Sequence, residues 1–152
     1  MHMLMCTIDL FVEVSMNTYN LFISHSWKYS DAYEKLVNLL DARPYFYYRN
    51  YSVPFDDPIN DANNDRQLKE AIWNQMLPAS CILVLAGVYS TYSKWINIEV
   101  KMAKTEFYKP KPVIAIEPWG AERTSIFVKQ NADEIVKWQT ESIVDAIRRL
   151  SI

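Results

Sequence analysis

The amino-acid sequence predicts an α/β domain built on a parallel sheet with helices on both faces. Short apolar runs alternate with stretches whose apolar residues recur at helical spacing from Tyr19 onward, the pattern of repeated strand and helix units. The runs are almost continuously apolar, as strands covered on both faces require. Pro, Asp and Asn cluster between them as turn formers. With 152 residues, 50% of them hydrophobic, the chain suits one domain with a sizeable core.

Residues 1–15 stand apart. Cys6, Ile8, Leu10, Val12 and Val14 alternate with more polar positions, which suits an added edge strand. Asp9 and Glu13 interrupt the apolar pattern and no Lys or Arg precedes it, against a signal peptide. Two readings stand: an extra strand, or a dispensable extension before a domain spanning 16–152.

Residues 19–24 read as the first strand. Tyr33, Leu36, Val37 and Leu40 then mark a helix over 31–42, which Arg43 and Pro44 stop. Residues 46–51 form an aromatic second strand. The stretch 52–64 is rich in Pro, Asp and Asn and poor in core residues, a surface loop of functional length. Asn64 or Asp65 caps a helix to Met76, with Leu68, Ile72 and Met76 or Leu77 inward. Residues 80–85 are a strand buried on both sides. Ser93 caps a helix that turns Trp95, Ile98, Met102 and Phe107 inward and ends before Pro110 and Pro112. Residues 113–116 make the fourth strand and 134–137 the fifth, with a brief irregular or helical piece between. Thr140 caps a last helix carrying Ile143, Val144, Ile147 and Leu150.

Composition removes several function classes. A net charge of −2 provides no basic field for nucleic acid, and the lysines between Lys101 and Lys111 read as solvated helix surface. No apolar stretch reaches the roughly 18 to 20 residues of a membrane span. Cys81 lies in an apolar run and reads as a buried free thiol; with Cys6 far away, cysteine usage fits a reducing cytoplasm. Two histidines and no clustered cysteines argue against zinc. The two glycines, Gly87 and Gly120, cannot make a dinucleotide fingerprint or a P-loop.

In a parallel sheet the segments following each strand converge on one edge, where open α/β sheets bind ligands. That edge collects His25, Ser26 and Trp27, then Phe55, Asp56 and Asp57, then Tyr89 and Ser90, and finally Trp119. Glu99, four residues beyond Trp95 on the same helix face, reaches this crevice from the helix after the third strand. Phosphates there would meet Ser24, Ser26, loop amides or a helix N-terminus, and the Trp27 face suits a purine or nicotinamide ring. Plainer roles stand beside these. Glu99 suits a solvated helix position, Trp95 a core anchor, and His25 a bond to a backbone carbonyl. Asp56 and Asp57, before Pro58, suit a turn; Trp119 suits either a pocket wall or a cover for the sheet edge.

Four segments in order, Phe22-Ile23-Ser24-His25-Ser26-Trp27, Asn50-Tyr51-Ser52-Val53-Pro54, the run from Tyr89 to Glu99 with Ser93-Lys94-Trp95, and Pro118-Trp119-Gly120, resemble the bacterial TIR-like family found in Thoeris anti-phage systems. The resemblance covers residues 17 to about 150. It implies a flavodoxin-like TIR fold with strand order 2-1-3-4-5 and NAD as substrate, with no bound cofactor. Glu99 matches the glutamate that assists cleavage of the nicotinamide–ribose bond. Ser24, His25, Ser26, Trp27, Phe55, Tyr89, Ser90 and Trp119 would line the substrate site. The loop bearing Ser52, Val53, Pro54, Asp56 and Asp57 matches the BB loop, which gates the pocket and mediates self-association. The family also implies a cyclic or modified ADP-ribose messenger that diffuses to a separate effector protein. The loop lacks the Pro-Gly pair usual in TIR domains and the first loop reads Ser24-His25-Ser26-Trp27, so nucleotide contacts do not transfer directly.

Two other classes remain open on the sequence: a TIR-type interaction module without catalysis, and a nucleoside deoxyribosyltransferase, which also breaks an N-glycosidic bond. A phospho-receiver on a similar sheet needs acids where His25-Ser26 and Leu85-Ala86-Gly87 stand.

Overall fold

A computed structural model describes residues 17–25, 30–52, 65–87, 94–117 and 125–152. In chain order these form β1 (Thr18–Ser24), α1 (Ser30–Ala42), β2 (Tyr47–Asn50), α2 (Asp65–Met76), β3 (Cys81–Leu85), α3 (Lys94–Thr105), β4 (Val113–Glu117), α4 (Ile126–Asn131), β5 (Glu134–Lys137) and α5 (Thr140–Leu150). The strands make one sheet in the order β2-β1-β3-β4-β5, every pair parallel. Five parallel strands in flavodoxin-like order bear out the expected fold class. Residues 1–15, whose role the sequence leaves between a strand and an extension, lie outside the described residues.

The apolar runs are continuous because both faces of the sheet are covered. Phe22, Ile82, Val84, Val113 and Ala115 pack on one face against Leu68, Ile72 and Met76 of α2, Ile96, Val100 and Ala103 of α3 and Val128 of α4. Leu21, Ile23, Leu83, Ile114 and Ile116 pack on the other against Leu36 and Leu40 of α1 and Ile143 and Ile147 of α5. Every residue of β3 and β4 is buried. Cys81 is a buried free thiol, as its apolar neighbours suggested, and burial pushes its pKa up to about 12.

The inward face of α3 differs from the expected one. Ile96, Glu99, Val100, Met102 and Ala103 are buried, while Trp95, Ile98 and Phe107 are only partly so. α3 rests on the sheet and also packs against α2 and α4, which widens the apolar arc beyond a single stripe. The cap of α5 also differs. Gln139, not Thr140, is the N-cap, and its side chain caps no backbone N–H; its Oε1 accepts from Ser142 Oγ at 3.3 Å, and its own N–H donates to Lys137 O at 2.7 Å in the turn after β5.

The lysines from Lys101 to Lys111 are not all solvated. Lys101 is exposed, Lys104 pairs with Asp133, and Lys111 is buried. Lys111 Nζ donates to Leu77 O at 3.0 Å and Ala79 O at 2.6 Å and lies 4.6 Å from the Phe107 ring centroid. It closes the turn after α2 by supplying donors to two carbonyls that lie beyond the helix. Burial lowers its pKa. Replacing Lys111 by Ala withdraws the donor from both carbonyls, and the expected outcome is a stability loss of about 1–3 kcal/mol. Urea unfolding measures it; a change below about 0.5 kcal/mol would show that the clamp contributes nothing.

Candidate functional site

The sheet order places the reversal of strand order between β1 and β3, since β1 leads to β2 on one side and β3 lies on the other. The crevice beyond the carboxyl ends of such strands is where open α/β folds bind ligands. Ser24 ends β1 there and His25 follows it. β3 leaves the sheet through Gly87, whose φ of 125° lies in the region that only glycine enters without strain.

Successive side chains of a strand point to opposite faces, and β1 uses both. Ser24 turns to the α3 face and meets Glu99. His25 turns to the α1 face, its ring stacked on Tyr33 with centroids 4.2 Å apart. A ligand straddling the end of β1 therefore meets Ser24 and Glu99 on one side and His25 on the other.

Glu99 is 3% exposed. Burial pushes its pKa from the ordinary 4.5 up to about 8, and the Ser24 hydroxyl pulls it only part of the way back. The two groups are close, yet no hydrogen bond of normal geometry joins them: Ser24 Oγ and Glu99 Oε2 are both buried without a partner among the described residues. The solvated-helix reading of Glu99 is thereby excluded. Buried polar atoms without partners are rare because each forfeits hydration. A ligand's hydroxyls or charge would complete these two.

His25 has the same character. Its Nδ1 lies 3.1 Å from Ile23 O. A carbonyl only accepts, so the network assigns the proton to Nδ1 and leaves Nε2 an acceptor. Nε2 is buried with no partner among the described residues, and burial lowers the ring's pKa. His25 is a neutral imidazole offering a lone pair.

Ser52 stands where β2 leaves the sheet. Tyr51 N–H still donates to Leu21 O at 2.8 Å. At the next rung it is the Ser52 hydroxyl that accepts from Ile23 N–H, at 3.0 Å, and donates to Asn50 Oδ1. Asn50 Nδ2 in turn donates to Tyr33 OH at 2.8 Å. The Tyr51 and Ser52 carbonyls accept from Gln75 Nε2 at 3.3 and 3.4 Å. One side chain thus completes the ladder while the backbone departs, and the chain of bonds ends on the tyrosine beneath His25. Tyr33 and Gln75 were not singled out as site residues from the sequence, where Tyr33 reads only as a core position of α1, and Asn50 enters there only as part of the segment 50–54 that carries the resemblance.

Of the expected site residues, the structure brings Ser24 and Glu99 together, sets His25 on the opposite face of the same strand end, and ties Ser52 to β1. Ser26, Trp27, Val53, Pro54, Phe55, Asp56, Asp57, Tyr89, Ser90 and Trp119 lie outside the described residues. Among the described residues no group of His, Cys, Asp and Glu could hold a metal, and no helix is long and apolar enough to cross a membrane.

A family model described as Thoeris protein ThsB, TIR-like domain, matches residues 22–123. The chain belongs to this family. The matched stretch runs from the buried half of β1 past β4 and includes Ser24, His25, Ser52 and Glu99. No curated protein matches closely enough to count as a relative. Among solved structures, a conserved protein from Enterococcus faecalis superimposes with a TM-score of 0.59 at 13% identity, covering 88% of this chain and 99% of that one. That likeness bears on the fold alone. A flavoprotein in complex with FMN from Lactobacillus acidophilus reaches a TM-score of 0.45 at 11% identity, covering 85% of this chain and 97% of that one.

Two predictions follow from this geometry. Ser52→Ala leaves Ile23 N–H buried without its acceptor, and the expected loss is about 1–3 kcal/mol in urea unfolding; wild-type stability would show that the rung is dispensable. Glu99 gives a pH dependence of defined sign. Between pH 4.5 and about 8 the unfolded chain carries the ionised carboxylate while the folded chain keeps the proton. Glu99 therefore lowers stability as pH rises through this window, by about 1.4 kcal/mol per unit, and by no more above it. The stability of Glu99→Gln relative to wild type should rise from pH 5 to pH 8, and a difference that is flat over this range contradicts the buried neutral acid.

Proposed function

We propose that this Thoeris-type TIR-like protein cleaves NAD to nicotinamide and a cyclic or otherwise modified ADP-ribose, an anti-phage messenger that activates a separate effector. The observation that carries the proposal is the Glu99 carboxyl, buried with Oε2 unpartnered beside the unpartnered Ser24 hydroxyl at the end of β1. It is the position that matches the family's catalytic glutamate.

The chemistry asks for one well-placed acid. The bond between ribose C1′ and the nicotinamide nitrogen breaks with its electron pair going to nicotinamide, which leaves neutral, and positive charge develops on the ribose. A fixed carboxylate facing that carbon stabilises the oxocarbenium-like state and holds the ribose hydroxyls. A nucleophile within the same ADP-ribose, or water, then bonds to C1′ and gives its proton to the Glu99 carboxylate. Nicotinamide is already a cationic leaving group in NAD, so no second acid is needed to protonate it. Ser24 and His25, with Ser26, Trp27, Phe55, Tyr89, Ser90 and Trp119, are proposed to bind the substrate. The loop with Ser52, Val53, Pro54, Asp56 and Asp57 is proposed to control access and self-association.

The test uses cells expressing the protein, sampled before and after phage challenge, with extracted small molecules resolved by chromatography. The wild type should consume NAD and yield nicotinamide with a new ADP-ribose species. Glu99→Gln, at matched protein level, should lower turnover by about two to three orders of magnitude, the scale of losing one electrostatic stabiliser. Equal product from the variant removes Glu99 from catalysis. Cleavage of deoxynucleosides with NAD untouched would instead make the protein a deoxyribosyltransferase-like enzyme, and inertness toward both would make it an interaction module.

A further inference from the structure

The surroundings of Glu99 bear on its charge in the empty protein. α3 turns Ile96, Val100 and Ala103 into the same core, β1 contributes Phe22, β3 contributes Val84 with Ala86 just beyond its end, and α2 and α4 bring Leu68, Ile72 and Val128. Ser24 is the polar group that β1 presents to it. The charged groups of neighbouring elements are paired elsewhere or exposed, the latter including Arg66, Lys69 and Glu70 of α2 and Lys129 of α4. Lys94 pairs with Asp65, Lys104 with Asp133 and Glu117 with Lys137. Lys101 is exposed, and Lys111 is bonded to the Leu77 and Ala79 carbonyls. His25 lies across β1 against Tyr33. Among the described residues no cation faces the carboxyl, and Oε2 has no hydrogen bond.

A carboxyl so placed holds its proton, because ionising it would bury an unpaired charge. A ligand that carries its own positive charge reverses that balance. NAD has such a charge on the nicotinamide ring, next to the ribose carbon where the bond breaks. NADH has nearly the same shape and an uncharged ring.

We propose that Glu99 is a neutral acid in the empty protein and releases its proton to solvent when the cationic nicotinamide end of NAD enters, so that the site selects the oxidised dinucleotide and binding is linked to the loss of one proton. The inference rests on the NAD reading above and adds a charge state and a discrimination to it. Neutral acid plus cationic ligand gives the bound ion pair plus one proton. The carboxylate that chemistry requires is thus made only with substrate in place, and its charge is then balanced inside a dry site, where the interaction is strongest. By linkage, affinity rises with pH while the empty site is protonated and levels off once it is not.

The experiment is calorimetric titration of the whole protein with carba-NAD, in which a methylene replaces the ring oxygen of the nicotinamide ribose. The pyridinium charge is kept and the glycosidic bond survives. Titrations near pH 6.5 in two buffers of different ionisation enthalpy count the protons released. The expected result is about one proton per ligand, and a Kd that falls about tenfold per pH unit from pH 6.5 to 7.5. NADH should bind at least tenfold more weakly at the upper pH, with no proton released. In Glu99→Gln the proton release and the pH dependence should both vanish. Carba-NAD binding to wild type with no proton exchanged and a constant Kd overturns the inference and leaves the NAD reading standing. No binding of carba-NAD to wild type overturns both.

Discussion

A carboxyl group taken out of water without a counter-charge is the constraint on which the rest of this structure depends. Hydration of an ionised carboxylate is worth far more than the single hydroxyl that Ser24 places beside Glu99, so the group stays neutral and the fold bears a residual cost. The cost is met by packing around it: Phe22, Ile96 and Val100 are fully buried on the same side of the sheet. A core this complete keeps water from the carboxyl and makes its protonation responsive to whatever enters the crevice. Groups held in an unfavourable state by well-packed surroundings are typical of sites that await a ligand.

The same strand end is prepared on its other face. His25 is pinned by the Ile23 carbonyl and the Tyr33 ring, and Tyr33 is bonded to Asn50, which binds Ser52. Ser52 closes the ladder on Ile23 N–H. The point where β2 departs from the sheet is therefore fixed by side chains that also fix the histidine. Such support leaves the unpartnered atoms of Ser24, His25 and Glu99 with little freedom to find partners of their own, which is the preorganisation that binding and electrostatic catalysis require.

Much of this was legible in the sequence, for a physical reason. Parallel strands covered on both faces must be continuously apolar, so β1, β3 and β4 declare themselves and β5 was placed at its observed bounds, 134–137. Signals set by distant contacts were not legible. The inward arc of α3 depends on how α2 and α4 flank it, and Ile96 and Val100 took places that spacing gave to Trp95 and Ile98. Lys111 reads as a surface lysine until Leu77 and Ala79 are brought to it. Glu99 could be chosen by its spacing from Trp95 and by family resemblance. Its burial could not, because burial of an acid follows from what packs over it and leaves no mark in its own neighbourhood of the chain. Tyr33 looked like one more core residue of α1, and its hydroxyl bond to Asn50 joins positions 17 residues apart.

The most direct test of the central claim is a crystal structure of the protein with carba-NAD bound. The account predicts the nicotinamide ribose at the end of β1, with a ribose hydroxyl within about 2.6–3.2 Å of Glu99 Oε2 and the pyridinium ring beside the carboxylate. A structure with the ribose bound elsewhere and Glu99 Oε2 still buried and unpartnered would contradict it.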